Sequence, residues 1–304
     1  MRTKSIDPGK FKIWLSEIEN KKNLSGYEYR RWRENRDALD GLMPALRESI
    51  TEAHDDARKK LRDALEDPLS PIGSPTTALD PALNYPHLLH KVTLKGYFGE
   101  TLGVLLVESI GAFGHTDWEA PLMLFRMHGL EIQHLNEIEQ VLQSTRTYNP
   151  DAPKEQKAGR PGDDAIAFRR TPEGKIIEII TFEGKCLGRH SRKKLDEAHA
   201  KVTKSPHCPS SIFELIDILR DYKGDADAEV WRRGLLDFRN NSHQATHRHS
   251  VLYACGDLPA KETTRRIDSD TPHTTYVSKR ALTAMEVQLG DLNKLIDLLY
   301  RGAE

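Results

Sequence analysis

Apolar residues return at spacings of three and four early in the chain, at Leu39, Leu42, Leu46 and Ile50 among dense charges. That is the spacing of one buried helix face, and it predicts a helical stretch from residue 1 to about residue 68. Pro68, Pro71, Pro75, Pro81 and Pro86, set among Ser, Gly and Thr, then break the pattern. Proline lacks an amide hydrogen and its ring collides with the preceding turn, so residues 67–86 read as a linker. The expected organisation is a helical region over 1–86, for dimerisation or partner docking, and a second region over 87–304.

Within the second region the periods alternate. A helix is predicted from His87 to Ile110 with Leu102, Leu105 and Leu106 buried, then a strand-length apolar run from Pro121 to Met127 and a helical pattern from Leu130 to Gln143. A polar loop over 145–162 precedes a β-hairpin: Asp164 to Arg169, a turn at 171–174, and Lys175 to Leu187. A basic helix after Gly188 and two more at Ser211–Tyr222 and Asp227–Asn240 follow. Strands are expected at His249–Cys255 and Thr274–Ser278, and an amphipathic helix over Ala281–Tyr300 closes the chain. Strands flanked by helices on both sides give an α/β core with helical additions.

Composition narrows the function classes. The 304 residues carry 45 Lys+Arg against 46 Asp+Glu, a net charge of −1. A protein that coats nucleic acid over its whole surface is thereby disfavoured, and any polyanion site is a local basic patch. No apolar run approaches the ~18 residues of a membrane span, and the N-terminus runs into charged sequence without a signal-peptide core. A cytoplasmic protein without a membrane association is expected. Cys186, Cys208 and Cys255 are odd in number and widely spaced, so reduced thiols are the expectation. A Gly-x-x-x-x-Gly-Lys-Ser/Thr phosphate loop and a Gly-x-Ser-x-Gly elbow are both absent, which disfavours an intrinsic NTPase and a serine hydrolase of that kind.

The chemistry concentrates on the hairpin. Residues two apart on a strand share a face, so Glu183 and Lys185 project together while Phe182 and Cys186 point the other way. Asp164, at the start of the neighbouring antiparallel strand, is brought beside Glu183. Two converging carboxylates repel unless a cation lies between them, and such hard oxygen donors suit Mg²⁺ or Mn²⁺. A lysine alongside stabilises charge developing on a phosphate and holds a water.

Asp164 with Glu183-Gly184-Lys185 resembles the core motif of the PD-(D/E)XK, or restriction-endonuclease-like, nuclease superfamily. The resemblance covers roughly residues 90–255 and implies a mixed central sheet flanked by helices, here with an N-terminal helical extension. It also implies that Asp164, Glu183 and the Gly184 carbonyl bind Mg²⁺ or Mn²⁺ and that Lys185 positions the attacking water. The family's helical glutamate is matched by Glu100 in Gly96-Tyr-Phe-Gly-Glu100-Thr-Leu-Gly103, with an auxiliary role at the metal. The family's leading proline is replaced by Gly162-Asp163, which leaves Asp163 and Asp164 as alternatives; a Gly-x-Asp opening, common among relatives resembling Mrr and anti-phage defence nucleases, favours Asp164.

Beyond the motif, Arg189, His190, Arg192, Lys193, Lys194, Lys201 and Lys204 gather positive charge on one helix, either as a seat for a phosphate backbone or as a solvated face balanced by Asp196 and Glu197. His243, His247 and His249 with Cys255 form a competing zinc candidate, although their spacing fits no familiar zinc pattern. Arg239 and His243 faintly resemble the pair of helical metal-independent ribonucleases, at too short a spacing. The leading expectation is a Mg²⁺-dependent endonuclease acting on DNA. Lacking sequence-reading parts, it is expected to be a regulated effector, as a homo-oligomer or a subunit of a bacterial anti-phage defence complex resembling Hachiman, Lamassu or CBASS. The alternative is a catalytically silent nuclease-like scaffold that binds DNA or a partner protein.

Overall fold

The computed structural model describes residues 6–23, 25–65, 81–125, 149–151 and 165–302, with isolated positions at Leu135, Ile138, Val141 and Ser144. Among these, a short helix α1 (Pro8–Trp14) leads into the strands β1 (Leu15–Lys22) and β2 (Tyr27–Glu34), then helices α2 (Leu39–Ala53), α3 (Asp55–Leu65) and α4 (Pro81–Asn84). The long helix α5 (Lys91–Ser109) precedes the hairpin of β3 (Ala165–Arg170) and β4 (Ile176–Leu187). Helices α6 (Arg192–Val202), α7 (Ser211–Leu219) and α8 (Ala226–Asn241) lead to β5 (Thr246–Cys255), β6 (Leu282–Gln288) and α9 (Leu292–Tyr300).

The strands form one mixed sheet in the order β1-β2-β6-β5-β4-β3. The outer pairs β1/β2 and β3/β4 are antiparallel; β2/β6, β6/β5 and β5/β4 are parallel. Central parallel strands are covered on both faces and therefore lose the alternating pattern, as in β6, where every residue is buried. The β1 edge, Leu-Ser-Glu-Ile-Glu-Asn-Lys-Lys, carries charges that discourage pairing with another chain. At the other end a single antiparallel bridge between Glu119 and Phe168 borders β3. Buried Glu178 on β4 accepts from Arg169 on β3 and Arg248 on β5, each at 2.5 Å, tying three strands together.

Two layers cover the sheet. Ile180, Phe182 and Cys186 of β4 join the large core containing α5, α2 and α9. Ile179 instead packs with α7 and α8, and Val251 and Tyr253 of β5 pack with Leu195, Ala198 and Val202 of α6. Glycines let α5 lie close on β4: a Cβ on Gly99 would stand 3.1 Å from the Cys186 Cβ, and one on Gly103 would stand 3.2 Å from the Phe182 ring.

The hairpin, the helices after it and the strand at β5 agree with expectation. Several predicted elements do not. Residues 15–34 are not helical: β1 and β2 form there, and β2 pairs directly with β6. The three-and-four spacing belongs to α2 alone, whereas Tyr27, Tyr29 and Trp32 in a β-prone run supply a buried strand. Trp14, Trp32, Leu42 and Leu46 share one core with Leu102 of α5, so the N-terminal elements are continuous with the sheet. Thr274–Ser278 is likewise not a strand; that segment is a loop, held where the Thr203 hydroxyl oxygen accepts from the backbone N–H groups of Val277 and Ser278. The strand is β6, in what was read as the start of the closing helix, and that helix begins only where the Asp291 carboxylate caps the Lys294 N–H. The run from Pro121 forms no strand as far as Phe125; its remainder, the 145–148 and 152–162 parts of the polar loop and the prolines from Pro68 to Pro75 lie outside the described residues.

Candidate active site

The Glu183 side chain is 1% exposed on the face of β4 covered by α6. A carboxylate so withdrawn from water needs cationic or hydrogen-bonding partners. Among the described residues, the Lys185 ammonium, two residues along the same strand face, ion-pairs with Oε1, and Lys201 Nζ of α6 lies 2.6 Å from Oε2. The Lys185 and Lys201 side chains are only partly exposed, at 22% and 35%.

Lys201 reaches the carboxylate because of helix period. Leu195, Ala198 and Val202 form the buried stripe of α6, and a residue three positions after Ala198 borders that stripe rather than the solvent face. From sequence Lys201 belongs either to a phosphate seat or to a solvated helix face; the structure sets it on Glu183. The buried i, i+3, i+4 stripe was the available signal.

Gly184 has a positional reason. A Cβ there would come within 3.3 Å of the Gly99 carbonyl carbon and 3.6 Å of the Glu100 nitrogen, so the main chain of α5 lies against β4 at this residue. Glu100 is therefore brought to Gly184, but from the opposite face of the sheet to Glu183 and Lys185. It lines a cleft with Val104, Leu122, Phe125, Ala165 and Ile166, at the start of β3. Burial first, and the Glu100 carboxylate second, push the nearby Tyr300 phenol well above its ordinary range.

The second carboxylate expected at the site, Asp164 or Asp163, lies outside the described residues. The first described residue of β3, Ala165, is paired with Phe182.

The basic residues divide. Arg189, Arg192, Lys193 and Lys194 are exposed, the last three in the first turn of α6, which contains no acidic residue. Cations there oppose the helix macrodipole and cost a few tenths of a kcal/mol each, roughly, but they add their field to that of the helix N-terminus. Glu197 offsets part of it, at 2.7 Å from Lys194. Tyr253, paired with Lys185 across the β4/β5 ladder, accepts from the Ser191 N–H at 2.8 Å and lies 2.8 Å from His190 Nδ1, fixing the start of α6. Burial lowers the His190 pKa, which favours the neutral ring.

The zinc candidate is dispersed. His247 Nε2 donates to the Ser242 carbonyl at 3.0 Å. His249 is buried, its Nε2 accepting from Arg280 Nη1 and its Nδ1 facing the Tyr276 hydroxyl, both at 2.9 Å. Cys255 lies six residues further along β5, about 20 Å at the rise of a strand. Arg239 stacks over the Phe213 ring, 5.8 Å from its centroid. Among the described residues no group of three His, Cys, Asp or Glu side chains is placed to hold a metal, and no helix among them is long and apolar enough to cross a membrane.

No family model matches the chain, and no curated protein is significantly similar to it.

Proposed function

We propose that the chain is a divalent-metal-dependent endonuclease that hydrolyses DNA phosphodiester bonds, with a restriction-endonuclease-like core made of α5, the β3/β4 hairpin, α6 and β5. The observation that carries this reading is the buried Glu183 carboxylate with Lys185 on the same strand face, at the open end of an antiparallel hairpin. The donor chemistry fits a hard cation: the Glu183 carboxylate, the Gly184 carbonyl and a second carboxylate, Asp164 or Asp163, are all oxygen ligands. Ala165, the residue that follows Asp164 in the chain, pairs with Phe182, the residue before Glu183. When bound, Mg²⁺ or Mn²⁺ supplies Lewis-acid polarisation of a phosphate and lowers the pKa of water.

The residues do the rest. Lys185 orients the attacking water and balances negative charge as it grows on the phosphate. Glu100, from behind the strand, supports the Gly184 segment and closes the cleft at the start of β3. Arg189, Arg192, Lys193 and Lys194 hold the phosphate backbone without reading sequence. A nuclease without sequence-reading parts suits a cytoplasmic effector restrained by partners, as a homo-oligomer or within a defence complex of the kind the resemblance implies.

A second reading has its own support: Glu183 is ion-paired with two ammonium groups, as befits a silent scaffold that binds DNA or a partner through the same basic face. The two separate on supercoiled plasmid and structured RNA incubated with Mg²⁺, Mn²⁺ or EDTA. The nuclease reading predicts nicking of the plasmid that needs either metal and stops in EDTA. Intact plasmid at every metal concentration, both alone and with the products of neighbouring genes, selects the scaffold.

A further inference from the structure

Resting on the reading of α6 as a nucleic-acid face, we infer that Lys95 of α5 is a further phosphate-binding residue, so that a DNA strand passes from the basic turn of α6 over the carboxyl end of β4 onto α5. In that turn Arg189, Arg192 and Lys193 are exposed and make no ion pair among the described residues, whereas Lys194 is held by Glu197. Lys95 joins them by position. Helix α5 runs back along β4, with Gly103 against Phe182 and Gly99 against Cys186, which carries Lys95, one turn earlier, to the end of the strand. Its Nζ lies 3.5 Å from where a Cβ on Gly188 would stand, so this glycine places no side chain over the ammonium. Gly188 begins the turn into Arg189 and the α6 cap Ser191. Four residues separate it from Arg192, at most about 14 Å of chain, the rise of about four base pairs.

Lys95 also lacks what its neighbour has. One turn before it on α5, Lys91 ion-pairs with Asp297 at 2.8 Å and Asp151 at 3.5 Å. Lys95 is partly buried and makes no ion pair or hydrogen bond among the described residues. Withdrawing an ammonium from water without a counter-charge is costly, and burial, first among the causes, holds its pKa below the ordinary lysine value. A phosphate oxygen supplies both the missing charge and a strong acceptor. The place suits a ligand, since open α/β sheets receive theirs at the carboxyl ends of parallel strands. Among residues 185–195 no large apolar side chain is exposed, so the face offers charge without the apolar anchor on which a protein interface centres.

The test reads DNA binding without turnover. The full chain is titrated in EDTA into a fluorescein-labelled duplex of about 20 base pairs, at about 0.1 M and about 0.2 M NaCl, and affinity is taken from anisotropy. The proteins are the wild type, Lys95→Gln, Lys95→Met, Lys95→Arg, a triple variant with Arg189→Gln, Arg192→Gln and Lys193→Gln, and Lys175→Gln, an exposed lysine beside the opposite end of β4. Circular dichroism checks that each is folded. Lys95→Gln and Lys95→Met are expected to bind about eightfold more weakly at 0.1 M and about fourfold at 0.2 M, the effect of one counterion fewer released at a slope of about 0.9 per phosphate. Lys95→Arg keeps the charge and Lys175→Gln lies elsewhere, so both stay near wild type. Neutral variants that match the wild type, or that weaken binding with the salt slope unchanged, while the triple variant is weakened, overturn the role of Lys95 and leave the basic turn as the nucleic-acid face. No DNA binding by the wild type overturns both, and its binding of poly-glutamic acid instead would give this face to an acidic protein.

Discussion

His249 shows how one side chain sets a solution property. It is 0% exposed; burial first, and the Arg280 cation second, push its pKa down to about 3. Arg280 donates to Nε2, so the ring is neutral, with its proton on Nδ1 toward Tyr276. In the unfolded chain the same ring titrates near 6.5. Between those values the unfolded state holds a proton that the native state lacks, so stability falls as pH drops from about 6.5 to about 3, by roughly 1.4 kcal/mol per pH unit for this group. His199, also buried with a pKa near 4, adds to the same window. Urea unfolding at pH 7 and pH 5 is expected to show a shallower acid loss in His249→Gln than in the wild type; equal losses would show that the ring is not held neutral. A strand around His249 was legible in sequence, but its Arg280 and Tyr276 partners arrive from a loop about thirty residues on, and no local pattern announces that contact.

At the scale of elements, close approach decides more than propensity. The hairpin turn and α8 meet at two glycines: a Cβ on Gly234 would lie 2.3 Å from the Gly174 carbonyl oxygen, a backbone atom unable to swing aside. Gly174 itself has φ +90°, a conformation that L side chains rarely adopt. Gly234→Ala is expected to destabilise the protein by about 1–3 kcal/mol. Gly41→Ala, on α2 with nothing within 4 Å of the added carbon, gains roughly 0.5–1 kcal/mol from helix propensity. Thermal melts of the pair check this; equal melting temperatures would contradict the packing. Elements with a single clean period were readable, as in α6, α7, α8 and the hairpin. The strands β2 and β6 were not. They lie inside the sheet with both faces covered, so Tyr-Glu-Tyr-Arg-Arg-Trp and Leu-Thr-Ala-Met-Glu-Val-Gln show neither clean alternation nor a helical stripe. Their arginines and glutamates are buried because loops and neighbouring strands pair with them, as Glu286 does with Tyr29.

At the scale of the whole molecule, a six-stranded sheet carries one buried carboxylate flanked by two lysines, and an exposed basic turn follows it in sequence. Near-zero net charge conceals this separation: the cations of α6 are locally concentrated, while the acidic excess lies elsewhere. The Glu183 and Lys185 pair was legible because strand period alone sets them on one face. The third member, Lys201, was not assigned to it, since only the fold shows which side of α6 meets β4. Glu100 was legible as a residue of the helix packed on the hairpin, but not as one that stands behind the sheet.

The most direct measurement compares the wild type with Glu183→Gln, a substitution that keeps the shape of the buried side chain and removes its charge, on supercoiled plasmid in Mg²⁺. With circular dichroism confirming that both are folded, the wild type is expected to nick the plasmid and Glu183→Gln to be slower by at least about a hundredfold, the scale of losing one group that stabilises charge in a transition state. Cleavage by Glu183→Gln at the wild-type rate would contradict the assignment of Glu183 as the acidic anchor of the site.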